Sequence, residues 1–386
     1  MKKILFVQKA FGQPSEVFLY RMVTSFPKFD VNVLSGKYVN KENFPFDTTK
    51  LHIWQEEKVH FLQKIIPFIN AKMKFPGRHS WENENIIQYI NKSNADIVCF
   101  QMGFLPVEMG TDIKKINKKI CLIHHGTDVN RAIENMSYRK RLLRVWQSVD
   151  TVIFVSHFLK NVAVKSGCPK NKTLVHYLGV PDISSIYQKT VHDDIFRFIM
   201  VGRMTPVKNH LRVLQAFALL VEKTSKKVEL ILIGDGELKQ EIENTIKNLD
   251  IEKYVQLLGA LPNQEVLTYM ANANTSILVS QAYIIPGVVR QEEGLPISLL
   301  EGASLGLPLI GSKTGGIPEI IEDGKNGYLI DPLDKKALLG AMHSLVEDHE
   351  KCLKMGKKSQ EVVKEKFCFE RQMNKLENIF LELIEK

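Results

Sequence analysis

Residues 291–321 read QEEGLPISLLEGASLGLPLIGSKTGGIPEII. A polar loop carrying Glu293 runs into a short apolar helix that begins near Pro296 and carries Glu301. A buried strand follows at Leu309–Gly311, then a Gly315–Gly316 turn ahead of Pro318. This order of helix, strand and Gly-rich turn fits a doubly wound α/β sheet, whose ligands bind at the carboxyl ends of the strands. The helix start offers the N–H groups of Gly294, Leu295 and Ile297; Pro296 has none, as is usual at the first helical position. Carboxylates and free N–H groups gathered at one helix N-terminus suit a phosphorylated sugar. Two glutamates at this spacing occur often by chance, so the whole stretch counts for more than the pair.

The same alternation extends outward in both directions. Upstream, Phe196–Val201, Val228–Ile233, Val255–Leu258 and Thr275–Val279 read as buried strands, and Gly327–Ile330 follows downstream. Helices are expected at 209–223, 237–249, 264–272, 296–305 and 335–347. The first half runs the pattern separately, with strands at Ile4–Val7, Val31–Leu34, Ile97–Phe100, Ile120–His124 and Val152–Val155 and helices at 81–91 and 138–148. Two successive βαβ runs in 386 residues predict two doubly wound domains, 1–188 and 189–369, joined near 188–194. A last helix at 370–386 is expected to pack back on the first domain.

Composition narrows the class. Hydrophobic residues make up 44% and charged residues 25%, as in ordinary globular proteins. No apolar stretch approaches the ~18 residues of a membrane span, and the apolar run in MKKILFVQKAFG is too short for a signal peptide. Five cysteines without CxxC spacing read as reduced thiols, which suits the cytoplasm. The net charge of +9 is uneven. Residues 1–190 hold 28 Lys and Arg against 15 Asp and Glu; residues 191–386 hold 24 against 28. A basic first half suggests a negative partner surface, membrane lipid or nucleic acid.

Chemistry-bearing residues recur at strand ends. Arg203 and Lys208 follow a strand directly and suit a pyrophosphate, one as a planar fork and the other as a point charge. Alone they read as readily as two solvated loop cations. Eight helical positions rise about 12 Å, too far for a glycosidase acid/base pair at ~5–9.5 Å, so Glu293 and Glu301 are expected to do separate jobs. Glu292 could be the solvated neighbour, or the register could differ by one. In the first half, His124-His125-Gly126-Thr127-Asp128 closes a strand, and no third ligand nearby favours zinc. The loop Lys9–Glu16 lacks GxGxxG, which argues against a dinucleotide site. Gly12 could admit a phosphate or an acceptor, and Ser15 and Glu16 read equally as a helix cap and first-turn acid. Gly234–Glu237 reads as a turn with a helix cap. Gly315–Glu319 reads equally as a plain connection or a ligand contact.

Together these stretches resemble the retaining glycosyltransferases of family four, which carry a Glu-seven-Glu motif on a GT-B fold of two Rossmann-like domains facing across a cleft. The likeness runs from the first strand to Ile330, is strongest from Val201 to Asp331 and is weak from Tyr38 to Asn94. It implies that Glu301 holds the nucleotide ribose, that Glu293 and His125 lie beside the transferred sugar, and that Arg203 and Lys208 neutralise the departing diphosphate without a metal. It also implies base contacts around Leu261. Many relatives have Glu-x-Phe-Gly where this chain has Glu-Gly-Leu-Pro. The resemblance points to a metal- and cofactor-independent retaining hexosyltransferase. It would use a UDP- or GDP-sugar and a glycan or lipid-linked acceptor of bacterial surface polysaccharide, at the inner membrane face. A non-transferring GT-B enzyme such as a nucleotide-sugar epimerase is the alternative. A nucleic-acid-binding protein is less favoured, because aromatics are sparse among the basic clusters. The segment Leu51–Trp81 and the run Arg139–Arg144 are expected to meet anionic lipid.

Overall fold

A computed structural model describes residues 1–13, 16–54, 80–286 and 289–385. The chain forms two compact units. The first comprises 1–154, 160–175 and 373–386; the second comprises 155–159 and 176–372.

The first unit holds a seven-stranded parallel sheet ordered β3-β2-β1-β4-β5-β6-β7. Its strands are β1 (Lys2–Gln8), β2 (Phe29–Ser35), β3 (Leu51–Ile53), β4 (Ile97–Gln101), β5 (Lys119–His124), β6 (Thr151–Phe154) and β7 (Thr173–Val175). The middle strands are near-continuous apolar runs because both faces of the sheet are covered. The winding reverses between β1 and β4, which is where such a sheet opens a crevice for ligand. The C-terminal helix, Phe369–Glu385, enters this unit from Met373 onward. There Phe380 packs on Phe6, Phe26 and Phe29, with ring centroids 5.8–6.4 Å apart.

The second unit holds a six-stranded parallel sheet ordered β10-β9-β8-β11-β14-β15. These strands are β8 (Phe196–Val201), β9 (Val228–Ile233), β10 (Val255–Gly259), β11 (Thr275–Leu278), β14 (Leu309–Ser312) and β15 (Gly327–Ile330). Its reversal lies between β8 and β11. An antiparallel hairpin, β12 (Tyr283–Ile285) with β13 (Val289–Gln291), precedes Glu293. Residues 176–188, expected with the first half, pack in the second unit. Val180 bridges Cys368, and Ile183 joins the core around Ile199, Ile231 and Met270.

The strands at the centre of each sheet lie where their apolar runs predict. β3 and β7 leave no such signal, because they are three-residue edge strands with half-exposed side chains. The helix His349–Val362 is likewise absent from the sequence pattern; it is largely polar and buries only a narrow stripe, Cys352, Met355, Ser359 and Val362 among it. Most of the segment 51–81 expected to meet membrane, and Ser15, lie outside the described residues.

Candidate active site

The reversal point of the second sheet gathers the residues singled out around Glu293. β8 ends at Val201, and Gly202 lets the Lys208 side chain pass close by: a Cβ there would lie 3.3 Å from Lys208 Cε. Lys208 closes a short 3-10 turn, and Asn209 then turns the chain in the left-handed region to start the helix His210–Lys223. Asn209 Nδ2 holds that turn by donating to the carbonyls of Val279 (3.1 Å) and Pro332 (3.0 Å). The Lys208 ammonium sits 2.7 Å from Glu293 Oε1, with the two side chains 17% and 12% exposed. Arg203 is exposed.

Glu293 is held from three sides. Ser280, just past the end of β11 and 1% exposed, donates its hydroxyl to the same Oε1 at 2.8 Å. Ser280's own carbonyl accepts from the hydroxyls of Ser312 and Thr314, which ties it to the end of β14. The Gly315–Gly316 turn then lies flat on the glutamate's backbone. Gly316 N–H donates to the Glu293 carbonyl at 3.1 Å. A Cβ on Gly315 would meet that oxygen at 2.4 Å, and one on Gly316 would meet Gly294 O at 2.0 Å. Gly315 also has φ +60°, so a side chain there would be both crowded and strained. These glycines are therefore more than a plain connection: they seat the loop that carries Glu293. No hydrogen bond among the described residues reaches Glu293 Oε2.

Glu292 is not solvated. Arg290 grips it with two bonds of 2.9 and 3.1 Å at the base of the hairpin, so Glu292 and Glu293 face different partners. Glu301 lies inside the helix Ile297–Ser304, 5% exposed, and accepts from Asn263 Nδ2 at 3.3 Å. These hydrogen bonds of the two glutamates thus go to different residues, Lys208 and Ser280 for Glu293 and Asn263 for Glu301. Asn263 begins the helix after the loop that holds Leu261, which packs half-buried against the core. The N–H groups of Gly294, Leu295 and Ile297 are taken by no other group among the described residues.

Two sequence expectations are corrected here. The turn at Gly234–Glu237 does not supply a helix cap; Leu238 holds that position without a side-chain bond. A Cβ on Gly234 or Gly236 would run into Gly202 O (2.0 Å) or Met204 O (2.5 Å), so these glycines let the β9 loop lie against the β8 loop. Likewise Glu16 occupies the N-cap of Val17–Val23 but makes no capping bond, and no acid stands in that helix's first turn. The acid that closes the Gly-rich turn has a structural task of its own. The Glu319 carboxylate accepts from the N–H groups of His157 (2.9 Å) and Phe158 (2.8 Å) and from Tyr177 Oη (2.9 Å). It thereby satisfies the first N–H groups of the helix His157–Lys165.

In the first unit the two adjacent histidines have different surroundings. His124 is fully buried: its Nδ1 lies 2.6 Å from Asp128 Oδ2, and its Nε2 accepts from Trp146 Nε1 at 2.8 Å. Because the indole can only donate, the proton of His124 sits on Nδ1 and points at Asp128. Asp128 also accepts from the N–H groups of Gly103 (2.8 Å) and Gly126 (3.0 Å). Burial pushes its pKa up, but His124, the Gly103 N–H and the nearby His125 outweigh burial and hold it at about 2. Its folded pKa is below the unfolded value, so this contribution to stability is complete above about pH 4 and is lost as pH falls toward 2. His125 is half-buried, with Nε2 2.8 Å from Gln101 Oε1 and the ring 5.0 Å from that of Phe18. Gly12 has φ +83°, and a Cβ there would meet Val39 O at 2.2 Å, so packing on the chain after β2 already requires a glycine.

The sequence does not single out Ser280, Asn263 or Gln101. Ser280 and Gln101 do carry a signal, since each stands at the carboxyl end of a strand beside a reversal point. Among the described residues no three His, Cys, Asp or Glu side chains converge as a metal site, and no helix is long and apolar enough to cross a membrane.

Residues 182–362 match the family described as glycosyl transferases group 1. The chain is a glycosyltransferase of the GT-B fold. It is 25% identical over 366 residues to the amylovoran biosynthesis glycosyltransferase AmsK of Erwinia amylovora, covering 87% of this chain and 88% of that one. It is 28% identical to the N-acetyl-alpha-D-glucosaminyl L-malate synthase of Bacillus anthracis, covering 69% and 68%. Among solved structures, Anabaena HepE in complex with UDP-glucose superposes with a TM-score of 0.78 at 18% identity, covering 99% of this chain and all of that one. In this glycosyltransferase the matched family region contains Arg203, Lys208, Ser280, Glu293 and Glu301.

Proposed function

We propose that the enzyme moves a hexosyl group from a UDP- or GDP-sugar to a glycan or lipid-linked acceptor of bacterial surface polysaccharide. The anomeric configuration is retained, and neither a metal nor another cofactor takes part. The observation that carries this reading is the single carboxylate oxygen, Glu293 Oε1, shared by Lys208 and Ser280 beside the unused N–H groups of 294, 295 and 297. Without donor, Glu293 neutralises Lys208. A diphosphate arriving at the helix start gives the ammonium a second anion, and Lys208 with Arg203 meets the charge that grows as the diphosphate leaves. Those two cations supply what a metal ion would otherwise supply. Glu293 turns Oε2 to a hydroxyl of the sugar, and Glu301 takes the ribose.

The acceptor class is supported by relatives. AmsK is named for amylovoran biosynthesis, and a second relative, from Escherichia coli, is named as a galactosyltransferase acting on α-D-GlcNAc-diphosphoundecaprenol. Cytoplasmic residence with docking on the inner membrane face is supported by the excess of cations in residues 1–190 and by exposed Lys140, Arg141 and Arg144 on the helix Met136–Ser148. No nucleic acid is involved.

One experiment tests these points. A panel of UDP- and GDP-sugars is offered in excess EDTA, with a GlcNAc-diphospholipid in neutral or anionic vesicles. Transfer from one donor is expected to survive chelation, to keep the donor's anomeric configuration in the product, and to be faster on anionic vesicles at low salt. Full loss on chelation restored by Mg²⁺ contradicts the metal-free reading. Equal rates on both vesicles contradict membrane docking.

A further inference from the structure

Both sheets reverse their winding at one point, and in the second unit that point carries the donor residues. The first unit has an equivalent point between β1 and β4, where the two glutamines that end these strands have no assigned role. β1 ends in Gln8 and β4 in Gln101, and the pairing of Val7 with Phe100 sets these two carboxamides side by side on one face. His125, just beyond β5, completes the row through its 2.8 Å contact with Gln101 Oε1. Among the described residues Gln101 Nε2 finds only sulfur, Met22 Sδ at 3.6 Å and Cys99 Sγ at 3.8 Å, which are weak acceptors. Gln8 is 3% exposed, and among the described residues neither its Oε1 nor its Nε2 has a hydrogen-bond partner. An amide buried with neither atom paired is costly to the fold. At a strand end beside a reversal point, that cost is understandable if a ligand pairs the amide.

We propose that Gln8 and Gln101 form a subsite for a carbohydrate hydroxyl. A hydroxyl both donates and accepts, so one hydroxyl, or a vicinal pair, can satisfy both atoms of Gln8, while Gln101 holds His125 beside it. The proposal rests on the glycosyltransferase reading. The hydroxyl belongs either to the donor sugar or to the acceptor sugar.

The test is Gln8→Met, which keeps the length of the side chain and removes its polarity. Without ligand it is expected to melt at or above wild type, because an unpaired buried amide has gone. Its kcat/KM for transfer is expected to fall by roughly tenfold to a hundredfold, the scale of losing one hydroxyl contact. Acceptor-free hydrolysis of the nucleotide-sugar that wild type turns over separates the sources: a matching fall assigns the hydroxyl to the donor, and unchanged hydrolysis assigns it to the acceptor. A variant that melts lower than wild type overturns the proposal, provided Gln8→Leu does the same, since the amide is then paired within the protein. A stable variant with both rates intact overturns it too. A wild type inert on every donor instead removes the glycosyltransferase reading, and the subsite with it.

Discussion

Glu293→Gln is expected to lower kcat by roughly a hundredfold or more while KM for the donor changes little, the pattern of an interaction made chiefly in the transition state. The reason is geometric. Glu293 is held through Oε1 by Lys208 and Ser280, and its backbone is pinned by Gly316, so the remaining oxygen is fixed in place before a ligand arrives. The amide has nearly the same shape and can still accept from Ser280, so the fold should survive. What it loses is the negative charge beside the sugar. Steady-state kinetics with the cognate donor checks this; a variant with kcat near wild type rules out a catalytic Glu293.

Lys208→Ala is expected to cost a similar factor, roughly a hundredfold, in kcat/KM. The ammonium is ion-paired with Glu293 and stands shortly after β8, where the diphosphate is expected. Removing it withdraws charge from the leaving group and leaves a nearly buried carboxylate without its ion pair. Because both residues share one contact, their effects should not add: the Lys208→Ala, Glu293→Gln double variant should be less impaired than the product of the single losses. Fully multiplicative losses would mean that the pair does not act as a unit.

The fold is legible in the sequence because its strands are apolar runs of four to seven residues separated by amphipathic helices, a pattern that needs no tertiary knowledge. Edge strands β3 and β7 are hidden because half-exposed residues carry no such run. The site is legible in its charged residues and not in its supports. Lys208 and Glu293 stand out in the sequence, yet nothing in it says that they touch, because 84 residues of chain intervene between them. Ser280 carries only its position at a strand end, for a related reason: a serine after a strand is common, and its role appears only when the hairpin β12–β13 folds Glu293 back onto it. Gly315 and Gly316 read as a turn, but their necessity comes from the backbone of Glu293 and Gly294 lying against them. Asp128 shows the same limit, since its partners Gly103 and His124 come from two different strand ends.

The central claim is a nucleotide site at the reversal point of the second sheet, with the ribose on Glu301. Calorimetric titration of UDP and of GDP into wild type and Glu301→Ala tests it most directly. The account predicts that one of the two nucleotides binds wild type and binds Glu301→Ala at least about tenfold more weakly, a loss of ~1.4 kcal/mol, with the variant still folded. Equal affinity for wild type and a folded Glu301→Ala, or no binding of either nucleotide to wild type, would contradict it.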